Sequence, residues 1–408
     1  MNLRKSLLAF ALFLGAPAWA GESSEWRPVD AETGQIRDID GLEQLTKDFP
    51  DSGSVRLRLL QSYLAAGQTD NVLATLSWLY DRGYVFSDRA QQQIPTLFHD
   101  VEPGSVAAML HENAEVIEAS DVVATVPASV RLVENVVRDP STGEYVVSAV
   151  HSRQIARLNV TGETLASPIK TASNLSGLVL SSEGIIWAAS GNIDGSDPNP
   201  ELFFGLLGFD EQGQIVRRIV APDRVNPSDL VISPDGILFT SDPIGGGVYT
   251  ASEQDLEFSE LIAPGILRSP QGLALSEDGS LLYVSDYRYG IAIINLVTGD
   301  TSRLASQIPI ILDGVDGLWR HGNELIAVQN GTSPMKISAF ELSQDGSAVV
   351  AHRILEQAHS DWSEPLNGSI DGNTLLYVGN GQWDRYVAGS PAQDKPPQPT
   401  QIRRLPID

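Results

Sequence analysis

The apolar positions follow two different periods along this chain. From about Ile39 to Glu118 they recur every three or four residues, as in "SVRLRLLQSYLAAGQTDNVLATLSWLYDRG", where Leu57, Leu60 and Leu64, then Leu73, Leu76 and Leu79, would each line one helical face. Ser54, Thr69-Asp70 and Ser87-Asp88 are helix-start types, and Gly67 and Gly83 stand where helices stop. The pattern predicts a small domain of four or five helices over about residues 22 to 120, serving either to dock a partner or to cover the domain that follows. After Ala119 the period becomes two, and Gly, Pro, Asp and Asn crowd the turns, as in a run of short strands.

Those strands repeat. "GEYVVSAV" (143 to 150), "GIIWAAS" (184 to 190), "GILFTSD" (236 to 242), "SLLYVSD" (280 to 286), "NELIAVQN" (323 to 330) and "NTLLYVGN" (373 to 380) lie in register as the second strand of six units. Each is followed by a third strand, the last being "QIRRLPID". Equivalent positions stand about 42 to 52 residues apart, the size of one four-stranded propeller blade. The predicted fold is therefore an all-β six-bladed propeller over 121 to 408, preceded by the helical region. The sixth unit ends at Asp408 after three strands, so the β-branched "DVVATVP" (121 to 127) is assigned as its missing outer strand, closing the ring.

Composition bounds the setting and the partners. "MNLRKSLLAFALFLGAPAWA" carries Arg4 and Lys5, an apolar run and the ending Ala18-Trp19-Ala20, the form of a secretory leader over 1 to 20. The expected location is periplasmic or secreted, with no later segment apolar enough to span a membrane. Formal net charge is -25, or -27 once Arg4 and Lys5 are removed, which argues against nucleic acid or an anionic membrane as partner. With no cysteine, stability must come from burial alone.

Aligning the units places one residue of each at the start of the innermost strand: Glu134, Ser176, Ser228, Gln271, Asp316 and Asn367. All are polar, and innermost strands line a propeller's central channel, so these side chains are expected around one mouth. The next column, Asn135, Gly177, Asp229, Gly272, Gly317 and Gly368, holds types that tolerate tight or left-handed backbone. Oxygen donors of this kind suit a hard divalent cation.

The motifs "SDLVISPDGILFTSDP", "PQGLALSEDGSLLYVSD" and "VDGLWRHGNELIAVQNG" resemble the senescence marker protein and gluconolactonase family of six-bladed propellers, over roughly residues 130 to 385. Other six-bladed propellers, the NHL-repeat and streptogramin-lyase types among them, write similar turns. The resemblance implies a metal-dependent hydrolase of lactones or small esters, with the cation on Glu134, Gln271 and Asp316. Gln271 stands where the family has Asn, and Ser228 where it has an Asn for substrate. Asp316 or Asp229 would remove a proton from water, and Ser228, Asn367 and Ser176 would face the substrate. The layout around Tyr63 and Gly67 resembles one tetratricopeptide repeat, although Gln61 and Val72 depart from its small-residue positions. The alternative function is a non-catalytic platform that binds or assembles proteins, with the helical region gripping the partner.

Other motifs carry less. "GNIDGSDPNPE" (191 to 201) lacks the spacing of an EF-hand and reads as a solvated lid. "HENAE" (111 to 115) lacks the second histidine of a zinc-protease helix, and His151, His321, His352 and His359 are scattered. Trp383 and Tyr386 in "NGQWDRY" would either stack on a ligand or plug the channel mouth. No G-x-S-x-G elbow or phosphate-cradling loop occurs.

Overall fold

The six repeated phrases are explained by one turn. Between the first and second strands of every blade sits a glycine with positive φ, at Gly143, Gly184, Gly236, Gly279, Gly322 and Gly372 (φ between 54° and 82°), a backbone region costly for a residue with a Cβ. Each hairpin extends into a twisted antiparallel sheet, and six such sheets form the propeller. The computed structural model describes residues 25–98, 103–110, 114–159, 161–164, 169–195, 202–387 and 390–408. The leader expected over 1 to 20 lies outside them, as does most of "HENAE" and part of the 191 to 201 loop.

Blade one runs from Val133–Arg138 outward to Ile169–Lys170, blade two from Asn174–Leu180 to Ile215–Val220, and blade three from Leu230–Ile232 to Ser259–Ile262. Blade four runs from Pro270–Leu275 to Thr301–Arg303. Blade five runs from Gly317–His321 to the long strand Ala348–Gln357, against which Ala305–Ser306 adds a short parallel edge. In blade six the order is Gly368–Asp371, Thr374–Val378, Thr400–Pro406 and then Asp121–Val126, so the outer strand comes from before blade one. That strand pairs antiparallel with the chain's last strand, Val126 opposite Thr400 and Asp121 opposite Arg404. The circle is thus tied by hydrogen bonds and by Val126, Ala124 and Ile402 packing in one buried cluster.

The helical region comprises α1 (Ile39–Asp48), α2 (Gly53–Ala66), α3 (Thr69–Tyr80) and the shorter α4 (Asp88–Gln93) and α5 (Pro103–Ala107). Local chemistry sets the ends: Asp38 and Ser52 accept from Gly41 N and Val55 N at the starts of α1 and α2, and Gly67 closes α2 in the left-handed region at φ 65°. The cap of α2 is Ser52, two residues before the expected Ser54, and its buried face is Val55, Leu59, Leu60 and Tyr63, while Leu57 and Leu64 are only half-buried. In α3 the face is Val72, Thr75, Leu76 and Leu79. The shift has one physical cause. These helices do not pack only on each other; they share a single core with Phe239, Val248, Leu273, Leu282 and Tyr289 of blades three and four.

The seam between helices and propeller is polar as well as apolar. Asp313, buried just before the inner strand of blade five, accepts from Gly53 N (2.9 Å), Ser54 N (2.9 Å) and Ser52 Oγ (3.1 Å), capping α2 from outside the helix. Ser52 Oγ also donates to Arg288 O, Trp26 Nε1 to Ile266 O, and Val85 N to Ser333 O. Every one of these loops lies at the end of the propeller where inner strands begin. Asp313→Ala strips the cap and leaves two buried N–H groups unpaired, so we expect a loss of about 2 kcal/mol. Urea denaturation measures it, and an unchanged midpoint would refute this role for the carboxylate.

Candidate functional site

The polar column is placed by bulges. Opposing strands slip register between Val133 and Asn135 in blade one, Leu175 and Leu178 in blade two, and Pro270 and Leu273 in blade four, which turns the start of each inner strand toward the axis. Neighbouring blades are then stitched together, Gly177 N donating to Ser228 O (2.7 Å) and Gly272 N to Asp316 O (2.8 Å), while within blade three Thr240 Oγ1 donates to Asp229 O (2.7 Å). The glycines of the next column are needed for close approach and do not have positive φ. A Cβ at Gly177 would lie 2.5 Å from Ser228 O, and one at Gly368 only 1.8 Å from Leu376 O. Only blades one and three carry a longer side chain there, Asn135 and Asp229.

Four carboxyl groups converge at this mouth. Glu134 and Asp316 repel one another strongly, Asp229 and Glu364 feel the charge of Asp316, and no basic side chain figures among the charges acting on the four. Burial is the leading cause of each shift: Glu134 is pushed well above the ordinary range, Asp316 up to about 6, and Asp229 and Glu364 up to about 7. Hydrogen bonds oppose part of this. Trp383 Nε1 donates to Glu134 Oε2 (2.9 Å), and Asn330 Nδ2 to Asp316 Oδ2 (2.8 Å). Asn330 is itself held, donating to Pro365 O and accepting from Tyr287 Oη. Leu230 N and the Asn367 amide favour charged Asp229.

The other column members are arranged differently. Gln271 turns its amide to Ser269 Oγ (3.3 Å), and Ser176 Oγ donates to Ser228 O (2.9 Å), fastening one inner strand to the next. Asn367 Oδ1 accepts from Gly368 N (3.0 Å) while its side chain reaches Asp229. The Trp383 indole is tied to Glu134, and Tyr386 lies tilted against His151 with ring centroids 4.7 Å apart. Glu364, Asn330 and Tyr287 had no signal in the column, because they lie on loops between strands, where the repeat is not kept. From the far end the channel opens as a cavity of about 740 Å³, with walls that include Leu178, Val231, Leu275, Trp319 and Ile370, and it reaches inward to Asp229.

The donors fit a hard cation in kind. They are carboxylate and amide oxygens, the acids repel one another, and the buried Oδ1 of Asn135 has no hydrogen-bond partner. Among the described residues, however, no three acidic, histidine or cysteine side chains gather closely enough to hold an ion by themselves, so amide or backbone oxygens must complete any such set.

No family profile and no curated protein matches this sequence. Solved structures do resemble it. They include a gluconolactonase from Xanthomonas campestris (15% identity, 72% of this chain and 98% of that one, TM-score 0.47) and a calcium-binding protein, regucalcin, from Agrobacterium tumefaciens (15%, 70% and 95%, TM-score 0.48). A virginiamycin B lyase from Staphylococcus aureus is similar to the same degree (17%, 68% and 80%, TM-score 0.47). At these identities the chain is similar to them in fold, a six-bladed β-propeller with a small helical region before it.

Proposed function

We propose that this protein is an exported, cation-assisted hydrolase of lactones or small esters, working at the mouth where Glu134, Asp229, Asp316 and Glu364 meet. The observation that carries the reading is the mutual repulsion of four carboxyl groups, Glu134 and Asp229 buried and Asp316 and Glu364 half-buried, with no basic side chain of the described residues among the charges acting on them. Such a cluster is costly unless protons or a cation neutralise it. Glu134 and Asp316, with Asn135 supplying a further oxygen, would hold calcium or a similar ion, in place of the Glu134, Gln271 and Asp316 set expected from the resemblance. When bound, the ion would polarise a carbonyl oxygen and acidify a water.

The chain's own residues supply the rest. Asp229, with its carboxyl held near 7, is matched to take a proton from water at neutral pH, and the Asn367 amide orients it. Asn330 and Tyr287 fix the Asp316 carboxylate, and Trp383 excludes water from Glu134 while steadying one of its oxygens. The Gln271 amide, tied to Ser269 Oγ at the position where the resemblance expects an ion donor, favours the second reading, a non-catalytic platform for a protein partner.

Calcium, manganese and zinc titrated into the purified protein distinguish the two. For the hydrolase reading we expect the melting temperature to rise with occupancy, equivalent to about 2.7 kcal/mol at a hundredfold excess over the dissociation constant, and Asp316→Ala to abolish the rise. A lactone panel then tests turnover. If no ion shifts the melting temperature, the platform stands instead.

A further inference from the structure

A second concave site lies between the helices and the propeller, away from the carboxyl cluster in chemistry as well as place. Its cavity, of about 590 Å³, is bounded by α1 and α2 on one side and the loops of blades three and four on the other. Four arginines line it, Arg37, Arg58, Arg268 and Arg288, together with Ser269 and Tyr289, and its wall contains no acidic side chain. That is a sharp local reversal in a chain with 52 acidic and 27 basic residues and a net charge of -25.

Arg58 is the fixed point. Its Nη2 donates to Ile36 O (2.8 Å) and Thr33 O (3.2 Å) and its Nη1 contacts Tyr289 Oη (3.4 Å), all neutral acceptors, while its buried Nε has no partner. No carboxylate neutralises it. Arg268 and Arg288 are exposed and make no side-chain hydrogen bond or ion pair within the described residues; Arg37 bonds only to the carbonyls of Gly34 and Ile36. Asp286, fully buried, feels the charge of Arg268, but its oxygens are taken by the backbone, Arg268 N (2.7 Å) and Ser269 N (3.3 Å). Guanidinium groups present planar, paired donors suited to oxyanions, and several left without counter-charge in one concavity raise the local affinity for one.

We infer that this cleft binds a small molecule through its oxyanion, a phosphate or carboxylate group seated among Arg58, Arg268 and Arg288 with Ser269 at its edge. Because one wall is α2 and the other is propeller, the bound anion also fastens the helices to blade four. The ligand therefore stabilises the docked state by mass action.

The test uses the whole mature protein and two probes, inorganic phosphate and citrate, at constant ionic strength set with potassium chloride. Either probe at millimolar concentration is expected to raise the melting temperature saturably; a response to phosphate alone points to a phosphoryl ligand, and one to citrate alone to a carboxylate. The double variant R268Q/R288Q is expected to remove the response and to lower the anion-free melting temperature only slightly, because neither side chain makes a hydrogen bond or ion pair among the described residues and R268Q gives up only the attraction of Arg268 for Asp286. Asp316→Asn is expected to keep the anion response in full, separating this site from the proposed cation site. No saturable response to either probe, or a response that survives in R268Q/R288Q, would overturn the inference.

Discussion

Val126→Asp is expected to unfold the ring at its closure. Val126 is fully buried in the outer strand of blade six and packs with Val378 and Ile402 of the same blade. A carboxylate there would be an unpaired buried charge, which costs about 4 kcal/mol or more against an ordinary total stability of ~5–15 kcal/mol. The same change at Val122, four residues earlier in the same strand and 44% exposed, should stay within about 0.5 kcal/mol. Comparing the two variants by guanidinium denaturation isolates the closure. Equal midpoints would mean that the strand from residues 121 to 126 does not tie the circle.

The second large effect is a fall in stability as pH rises, in protein stripped of divalent ions. Asp229, Asp316 and Glu364 have folded pKa values raised to about 7, 6 and 7, above their ordinary values near 4. Between about pH 4 and pH 7 these three groups hold more protons in the folded state than in the unfolded one, so together they lower stability across that window, by more than His352, pushed down to about 4 by burial, raises it. Below it all three are protonated in both states, and above it the loss is complete. One pKa unit corresponds to about 1.4 kcal/mol, so Asp229 alone carries a loss of order 4 kcal/mol as an upper bound. Asp229→Asn should flatten the decline and leave the ion-free protein more stable at pH 8 than the parent. Excess calcium should flatten it too, by charge compensation. Urea midpoints measured from pH 4 to pH 8 decide the matter: a midpoint that rises over this range contradicts a buried, uncompensated cluster.

The two effects meet in the same design. A propeller whose blades hold together through apolar clusters and a spliced strand has stability enough to keep like charges together at its axis. The helices lie at that same end, over blades three to five, while Trp383 and Tyr386, from the loop after the second strand of blade six, contact Glu134 and His151 of blade one. Access to the carboxyls is consequently set by segments outside the repeat.

Much of this architecture was legible in the sequence because it depends on local, repeated rules. Period-two strands, a turn glycine per blade and a sixth blade one strand short are enough to name a six-bladed ring and to place residues 121 to 126 in its seam. The inner column and the one after it could likewise be read by register, the first carrying Glu134 and Asp316 and the second Asp229, whose charges act on one another. What register cannot convey is where a side chain turns once blades meet. Gln271 bonds to Ser269 through its amide nitrogen, Ser176 is used up on a neighbour's carbonyl, and Glu364, Asn330 and Trp383 enter from loops of irregular length. The inner-strand glycines show the same division: the sequence marks the positions, but backbone crowding between blades, rather than left-handed turns, is what requires them. The helices were visible from their period, yet their buried faces and the arginine cleft were decided by the propeller they lie on, since burial and charge convergence depend on contacts more than 200 residues apart in sequence.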